Sequence, residues 1–113
     1  MLSAKYRLNQ EKDFKKINAF GRSFFSPGLR LKYLANQRDF SRFAVVVSLK
    51  VSKKAIQRNR LKRQLREIIR LNQEKIKPGY DIAVIVGSSA RGRKYQQLQQ
   101  DLSDLLVKAR LLK

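Results

Sequence analysis

The chain has 113 residues, with 27 Lys and Arg against 8 Asp and Glu, and a formal net charge of +19. It contains no Cys and no His, which excludes disulfides, thiolate ligands, a Cys nucleophile and the usual general base of neutral pH. A length of this order suits one domain over residues 1–113, and the charge makes a polyanion, nucleic acid before lipid, the natural partner.

The opening MLSAKYRLNQ lacks the apolar core of a secretory signal. No apolar run approaches the ~20 residues of a membrane span, so a cytoplasmic protein is expected. Lys5 and Arg7 read as a flexible basic arm. Residues 10–20, QEKDFKKINAF, read as a helix, with Asn9 as its cap, Glu11 in its first turn and Gly21 as its stop. Phe14, Ile17 and Phe20 form its apolar strip.

A short strand over 23–25 leads to the turn Pro27-Gly28. LRLKYLAN, residues 29–36, alternates: Leu29, Leu31, Tyr33 and Ala35 share one face, and Arg30, Lys32 and Leu34 the other. RFAVVVS, residues 42–48, is rich in β-branched side chains and reads as a central strand. A long helix follows from about Lys54 to Asn72. Pro78-Gly79 makes a turn, YDIAVIVG at 80–87 a buried strand, and SSARGRK a loop whose basic tip suits either RNA contact or a solvated turn. Residues 95–111 form a last amphipathic helix with Leu98, Leu102, Leu105, Leu106 and Ala109 inward. The order α-β-β-β-α-β-α describes a sheet covered by helices.

The stretch KVSKKAIQRNRLKRQLREIIR, residues 50–70, carries nine Lys/Arg and one acid, Glu67. With Arg58 at 0° and about 100° per residue, Leu61, Leu65, Ile68, Ile69 and Asn72 fall on one arc, facing the sheet. Arg58, Asn59, Lys62, Arg63, Arg66 and Arg70 fall on the neighbouring arc, as one stripe. Arg58–Lys62, Lys62–Arg66 and Arg66–Arg70 are like-charge i,i+4 pairs, each unfavourable by roughly 0.2–0.5 kcal/mol. A stripe serving stability alone would interleave Glu. A phosphate track explains it better, and the Arg excess suits bidentate phosphate contact and stacking. Asn59 adds a neutral donor and acceptor for a sugar or base edge. A strand, not a helix at helix-turn-helix spacing, precedes this helix, which weighs against duplex DNA. Phe14, Phe20, Phe24, Phe25 and Tyr33, with Lys15, Lys16, Arg30 and Lys32, could line a single-strand groove, although each aromatic taken alone suits core packing as well.

Residues 53–67, KKAIQRNRLKRQLRE, resemble the signature of the bacterial ribonuclease P protein subunit, A-x-x-R-N-R-x-K-R-x-x-R-E. Ala55, Arg58, Asn59, Arg60, Lys62, Arg63, Arg66 and Glu67 match. DF at 13–14, followed by Gly21, resembles the family's first helix, and the order of elements matches over the whole chain. The resemblance implies an α+β fold. It is a two-layer α/β sandwich of a mixed four-stranded sheet and about three helices, with a left-handed β-α-β crossover of a rare hand, like domain 2 of a ribosomal protein. It also implies a role in cutting the 5′ leader from precursor tRNA. In that role the RNA subunit hydrolyses the bond with Mg²⁺ that the RNA holds, and the protein supplies no catalytic residue and no metal site.

By the same resemblance Lys53, Lys54, Arg58, Asn59, Arg60, Lys62, Arg63 and Arg66 face the ribozyme and substrate near the cleavage site. Phe14, Asn18, Tyr33 and Lys50 are the expected leader contacts, in a cleft between the first helix and the sheet. The partners implied are ribonuclease P RNA, bound 1:1, and precursor tRNA, with no membrane. Two departures stand out: Asn18 where the family often has a second aromatic, and Lys53-Lys54 where many relatives have Gly-Asn. Two competing readings are a ribosomal or other structural RNA-binding protein, and a protein-only nuclease using Asp39, Asp81, Asp101 or Asp104. The second is weak, because the acids form no close pair except Asp101 and Asp104, which read as exposed helix charges.

Overall fold

Alternating side chains at 29–35 and β-branched runs at 42–47 and 80–86 dictate strands, and the turns at Pro27-Gly28 and Pro78-Gly79 separate them. The computed structural model describes residues 3–113. In chain order it contains α1 (Glu11–Phe20), β1 (Arg22–Phe25), β2 (Leu29–Ala35), β3 (Arg42–Val47), α2 (Ala55–Asn72), β4 (Tyr80–Val86) and α3 (Tyr95–Lys108), with short 3-10 turns at 4–6, 73–75 and 88–90. The fold is the expected α+β arrangement of a mixed four-stranded sheet and three helices.

The strands lie in the order β1-β2-β4-β3. β2 pairs antiparallel with β1 and β4, and β3 pairs parallel with β4 across the α2 crossover. β3 is therefore an edge strand, which corrects the central position expected from its Val-rich sequence. Its burial has another source. The amide of Leu8 donates to the Phe43 carbonyl at 2.7 Å, and Arg7 bridges Phe43 in parallel, so the segment before α1 covers β3's outer edge. Lys5 lies over the rings of Tyr6 and Phe40, at 5.3 and 4.6 Å. The expected flexible arm is thus a docked segment.

Residues opposite one another in register share a face of the sheet. One face carries Leu31, Val84 and Val45 in a row, and packs with Leu61 and Leu65 of α2 and Leu98, Leu102 and Leu105 of α3 into the main core. The other face carries the rows Lys32–Ala83–Ala44 and Leu34–Asp81–Arg42. α1 crosses this second face, seating Ile17 at 2% exposure. Phe20, expected in the same apolar strip, is 76% exposed.

α1 begins after Gln10 with no side-chain cap, so Asn9 does not play the part expected of it. Gly21 does end the helix, but in extended backbone (φ −76°, ψ 163°), not in a left-handed turn. A Cβ there would lie 2.5 Å from the Ile17 carbonyl oxygen and 2.8 Å from that of Tyr33, so close backbone approach dictates glycine. α3 stops at Lys108, short of the expected 111, and Arg110 turns the chain at φ 57°. Ala109 and Leu111 remain buried, and the Lys77 amide donates to the Leu111 carbonyl at 2.7 Å.

Candidate nucleic-acid interface

Leu61, Leu65, Ile68 and Ile69 bury one side of α2. That fixes the helix's rotation and presents the neighbouring arc outward. Asn59, Lys62, Arg63 and Arg66, with Ile56, line a groove of about 440 Å³ along it. Arg66 also lines a smaller cleft of about 140 Å³, together with Phe14, Leu8, Phe43, Val45 and Ile69. It therefore stands between the α2 stripe and the aromatic of α1. Arg60 points away from the stripe by helix geometry, at about 200° on the same construction.

Two ends of the stripe differ from expectation. Arg70 is not an uncompensated cation: its Nε donates to Glu67 Oε2 at 3.1 Å. That hydrogen bond holds the Glu67 carboxyl below, and the Arg70 guanidinium above, their ordinary pKa values. At the other end, Arg58 Nη1 donates to the Ser52 carbonyl at 2.9 Å and ties the β3–α2 loop to the helix. Ser52 is 6% exposed; its Oγ accepts from the Lys54 amide at 3.1 Å and donates to Gln57.

α2 starts without an acid in its first turn and with Lys54 as an N-cap that makes no capping bond. Cations at this positive end of the helix dipole are unfavourable. Lys50, Lys53, Lys54 and Arg91 nevertheless converge there on one concavity of about 520 Å³. Arg91 comes from the SSARGRK loop, and so does Arg93, but their surroundings differ. Arg93 donates through Nε and Nη2 to Asp101 at 2.8–3.1 Å. The loop's two arginines thus divide, Arg93 into a structural pair and Arg91 into the basic concavity.

On the α1 face of the sheet, Phe14 and Asn18 lie one turn apart on the same side of the helix. Lys32 Nζ donates to Asn18 Oδ1 at 3.0 Å. Tyr33, expected in this cleft, is on the opposite face. Its ring stacks on Phe24 (6.2 Å, 12°) and meets Tyr80 edge-on (5.8 Å, 74°), against the main core. The strand period of two decides this: Leu31 and Tyr33 share the core face, so β2 offers the cleft Arg30, Lys32 and Leu34. Arg30 and Phe25, both among the candidate lining of a single-strand groove, are cross-strand partners. The Arg30 guanidinium lies 4.7 Å from the Phe25 ring centroid at the sheet's open end, where Phe25 is 58% exposed. The alternation of residues 29–36 carries the signal for this pair.

Asp81, Asp101 and Asp104, with Asp13, have partners within the fold. Asp81 and Asp13 flank Arg42 (2.7 and 3.5 Å), Asp101 holds Arg93, and Asp104 accepts from Gln100. The hydrogen bond from Arg42 to Asp81 is the largest cause raising the guanidinium's pKa. No cluster of three His, Cys, Asp or Glu able to hold a metal ion occurs among the described residues. Nor is any described helix long and apolar enough to cross a membrane.

A mixed sheet with its core on one face, a helix-bordered cleft on the other and cations aligned along α2 define a small α+β nucleic-acid-binding protein. Residues 2–110 match the ribonuclease P family. The chain is 42% identical to the ribonuclease P protein component of Pseudanabaena sp. (strain PCC 6903), over 99% of this chain and 97% of that one. It is 40% identical to the component of Clostridioides difficile (strain 630), over 88% and 87%. The RNase P protein of Staphylococcus aureus superposes with a TM-score of 0.88 at 28% identity, covering 96% of this chain and 98% of that one. That of Thermotoga maritima superposes at 0.82 and 35% identity, covering 90% and 96%. The chain belongs to the ribonuclease P protein family. It is an RNA-binding component of that tRNA-processing ribonucleoprotein, and ribonuclease P RNA is its partner.

Proposed function

We propose that this protein assists a catalytic RNA in removing the 5′ leader from precursor tRNA, by holding the leader against α1 and the sheet while α2 engages RNA phosphates. Hydrolysis then belongs to the RNA, with Mg²⁺ bound by RNA oxygens, and the protein's cations replace part of the metal otherwise needed to bring two polyanions together. The observation that carries this reading is the position of Arg66, which lines both the α2 groove and the Phe14 cleft. A strand crossing from one to the other would exchange phosphate contact for stacking within one side chain's reach.

The test is cleavage of precursor tRNA at low Mg²⁺ by the cognate RNA alone, the protein alone and both together. The reading expects no cleavage by the protein alone and a gain from adding it to the RNA, larger for substrates with a leader of several nucleotides than for one-nucleotide leaders. Cleavage by an RNA-free protein preparation, or a gain independent of the leader, would overturn it.

A further inference from the structure

Six of the chain's 8 acids have a partner in the fold: Glu11 with Lys15, Glu67 with Arg70, Asp104 with Gln100, and Asp13, Asp81 and Asp101 with arginines. Asp39 and Glu74 have none among the described residues, and both line one cavity of about 600 Å³. It lies beyond the C-terminal end of α2, between the β2–β3 loop and the turn at 73–75, and no residue of α1 lines it. Tyr6 does, whereas Leu8 lines the Phe14 cleft, so the docked N-terminal segment passes from one to the other. The cavity's walls combine three kinds of group. Tyr6 and Phe40 are half-buried aromatics, edge to face at 5.8 Å. Arg70 and Lys113 are cations, and the pair with Glu67 occupies Arg70 Nε and Nη2 but leaves Nη1. Lys5 and Arg38 add charge beside the Phe40 ring, at 4.6 and 5.9 Å. Asp39 and Glu74 are exposed carboxylates. A track for phosphates alone gains nothing from two unpaired carboxylates, which repel them. A nucleotide uses all three groups: its ring stacks, its phosphate meets the cations and its base N–H groups donate to a carboxylate. Arg70 follows Arg66 by one helical turn, about 6 Å, so a strand on the α2 groove reaches the cavity directly.

We propose that this cavity receives an unpaired guanine nucleotide of ribonuclease P RNA, splayed out of its stack. Guanine carries N1–H and the N2 amino group side by side on its Watson–Crick edge, and together they meet both oxygens of one carboxylate. Adenine, cytosine and uracil each have a single donor group on that edge. Phe40 and Tyr6 supply the stacking surface, and Arg70 and Lys113 the flanking phosphate contact. The inference needs only the RNA partner of the family and is independent of the leader-holding role.

The experiment measures the Kd of the full chain for its cognate ribonuclease P RNA, without precursor tRNA, over a range of salt. Asp39→Asn and Glu74→Gln combined remove two negative charges, so phosphate attraction alone predicts tighter binding. The proposal expects the opposite sign, a loss of about fivefold, because the base loses a charged acceptor. Both side chains are exposed and unpaired, so the double variant keeps the fold, which its melting temperature checks. Phe40→Leu should weaken binding by about fivefold with the salt slope unchanged, the lower end for one stacked base. Kethoxal, which modifies N1 and N2 of unpaired guanines, should show one guanine that the wild-type protein protects and the double variant does not. Tighter or unchanged binding by the double variant, or no guanine with that pattern, would overturn the inference. So would an effect seen only with precursor tRNA present, since the nucleotide would then belong to the substrate.

Discussion

Arg42 and Asp81 face each other across the parallel β3–β4 pair, and the guanidinium engages both carboxylate oxygens, Nε to Oδ1 at 2.9 Å and Nη2 to Oδ2 at 2.7 Å. Asp13 of α1 approaches the same Nη2 at 3.5 Å. All three side chains are largely buried, so this cluster fixes α1 on the sheet and sets the cleft's width. Arg42→Met strands two carboxylates and should destabilise the protein by about 3 kcal/mol in urea denaturation, in the range for breaking a buried pair. Adding Asp81→Asn should recover part of the loss. A single-variant cost below about 1 kcal/mol would show that the cluster does not hold α1.

Gly21→Ala tests the close approach of α1 to β2. Its φ is ordinary, so any loss comes from the carbonyl oxygens of Ile17 and Tyr33 and not from backbone strain. Overpacking of this kind costs about 1–3 kcal/mol. An unchanged melting temperature would mean that the helix end shifts freely.

Arg63 lies in the α2 groove and pairs with no acid among the described residues. Arg63→Ala should weaken binding to the RNA subunit and flatten its log–log salt dependence by about 0.7–0.9 for each phosphate it neutralises. Equal slopes for variant and wild type would remove Arg63 from the phosphate track.

The two arginines of the β4–α3 loop should behave oppositely. Arg93→Ala removes the pair with Asp101 and should lower stability by about 1 kcal/mol with the salt slope unchanged. Arg91→Ala should leave stability alone and flatten the slope, since its neighbours are Lys50, Lys53 and Lys54. The same effect from both substitutions, in either assay, would contradict the division.

Phe14→Ala should reduce the ratio of precursor to mature tRNA affinity in the holoenzyme by several-fold, the loss of about 1–3 kcal/mol of base stacking at most. A preserved ratio in a folded variant would make Phe14 a packing residue.

The long elements were legible because their periods are strong. The 100° spacing of Leu61, Leu65, Ile68 and Ile69 set the rotation of α2 and hence its charged stripe, and the alternation at 29–35 set the two faces of β2. What stayed hidden depends on which element packs on which face. Tyr33 could be placed opposite Lys32, but nothing local says that α1 lies on the Lys32 side. The Val-rich β3 reads as central because burial, not position in the sheet, selects β-branched residues, and here residues 7–8 and α2 bury an edge. The pairing of Glu67 with Arg70 and the split of Arg91 from Arg93 depend on rotamers, which composition does not encode.

The strand order β1-β2-β4-β3 also constrains the order of events when the chain folds. β4 lies between two strands made before it, so β2 and β3 each keep an unsatisfied edge until residues 80–86 arrive. The β1–β2 hairpin can form locally, but the parallel pair must wait for closure across α2, a slow, non-local step. The basic stripe is synthesised ahead of the strand that completes its support. Growing chains therefore pass through a stage with α2 made, the sheet divided and two strand edges open. Self-association is most favoured at that stage, and the repulsion from the strong positive charge already present opposes it.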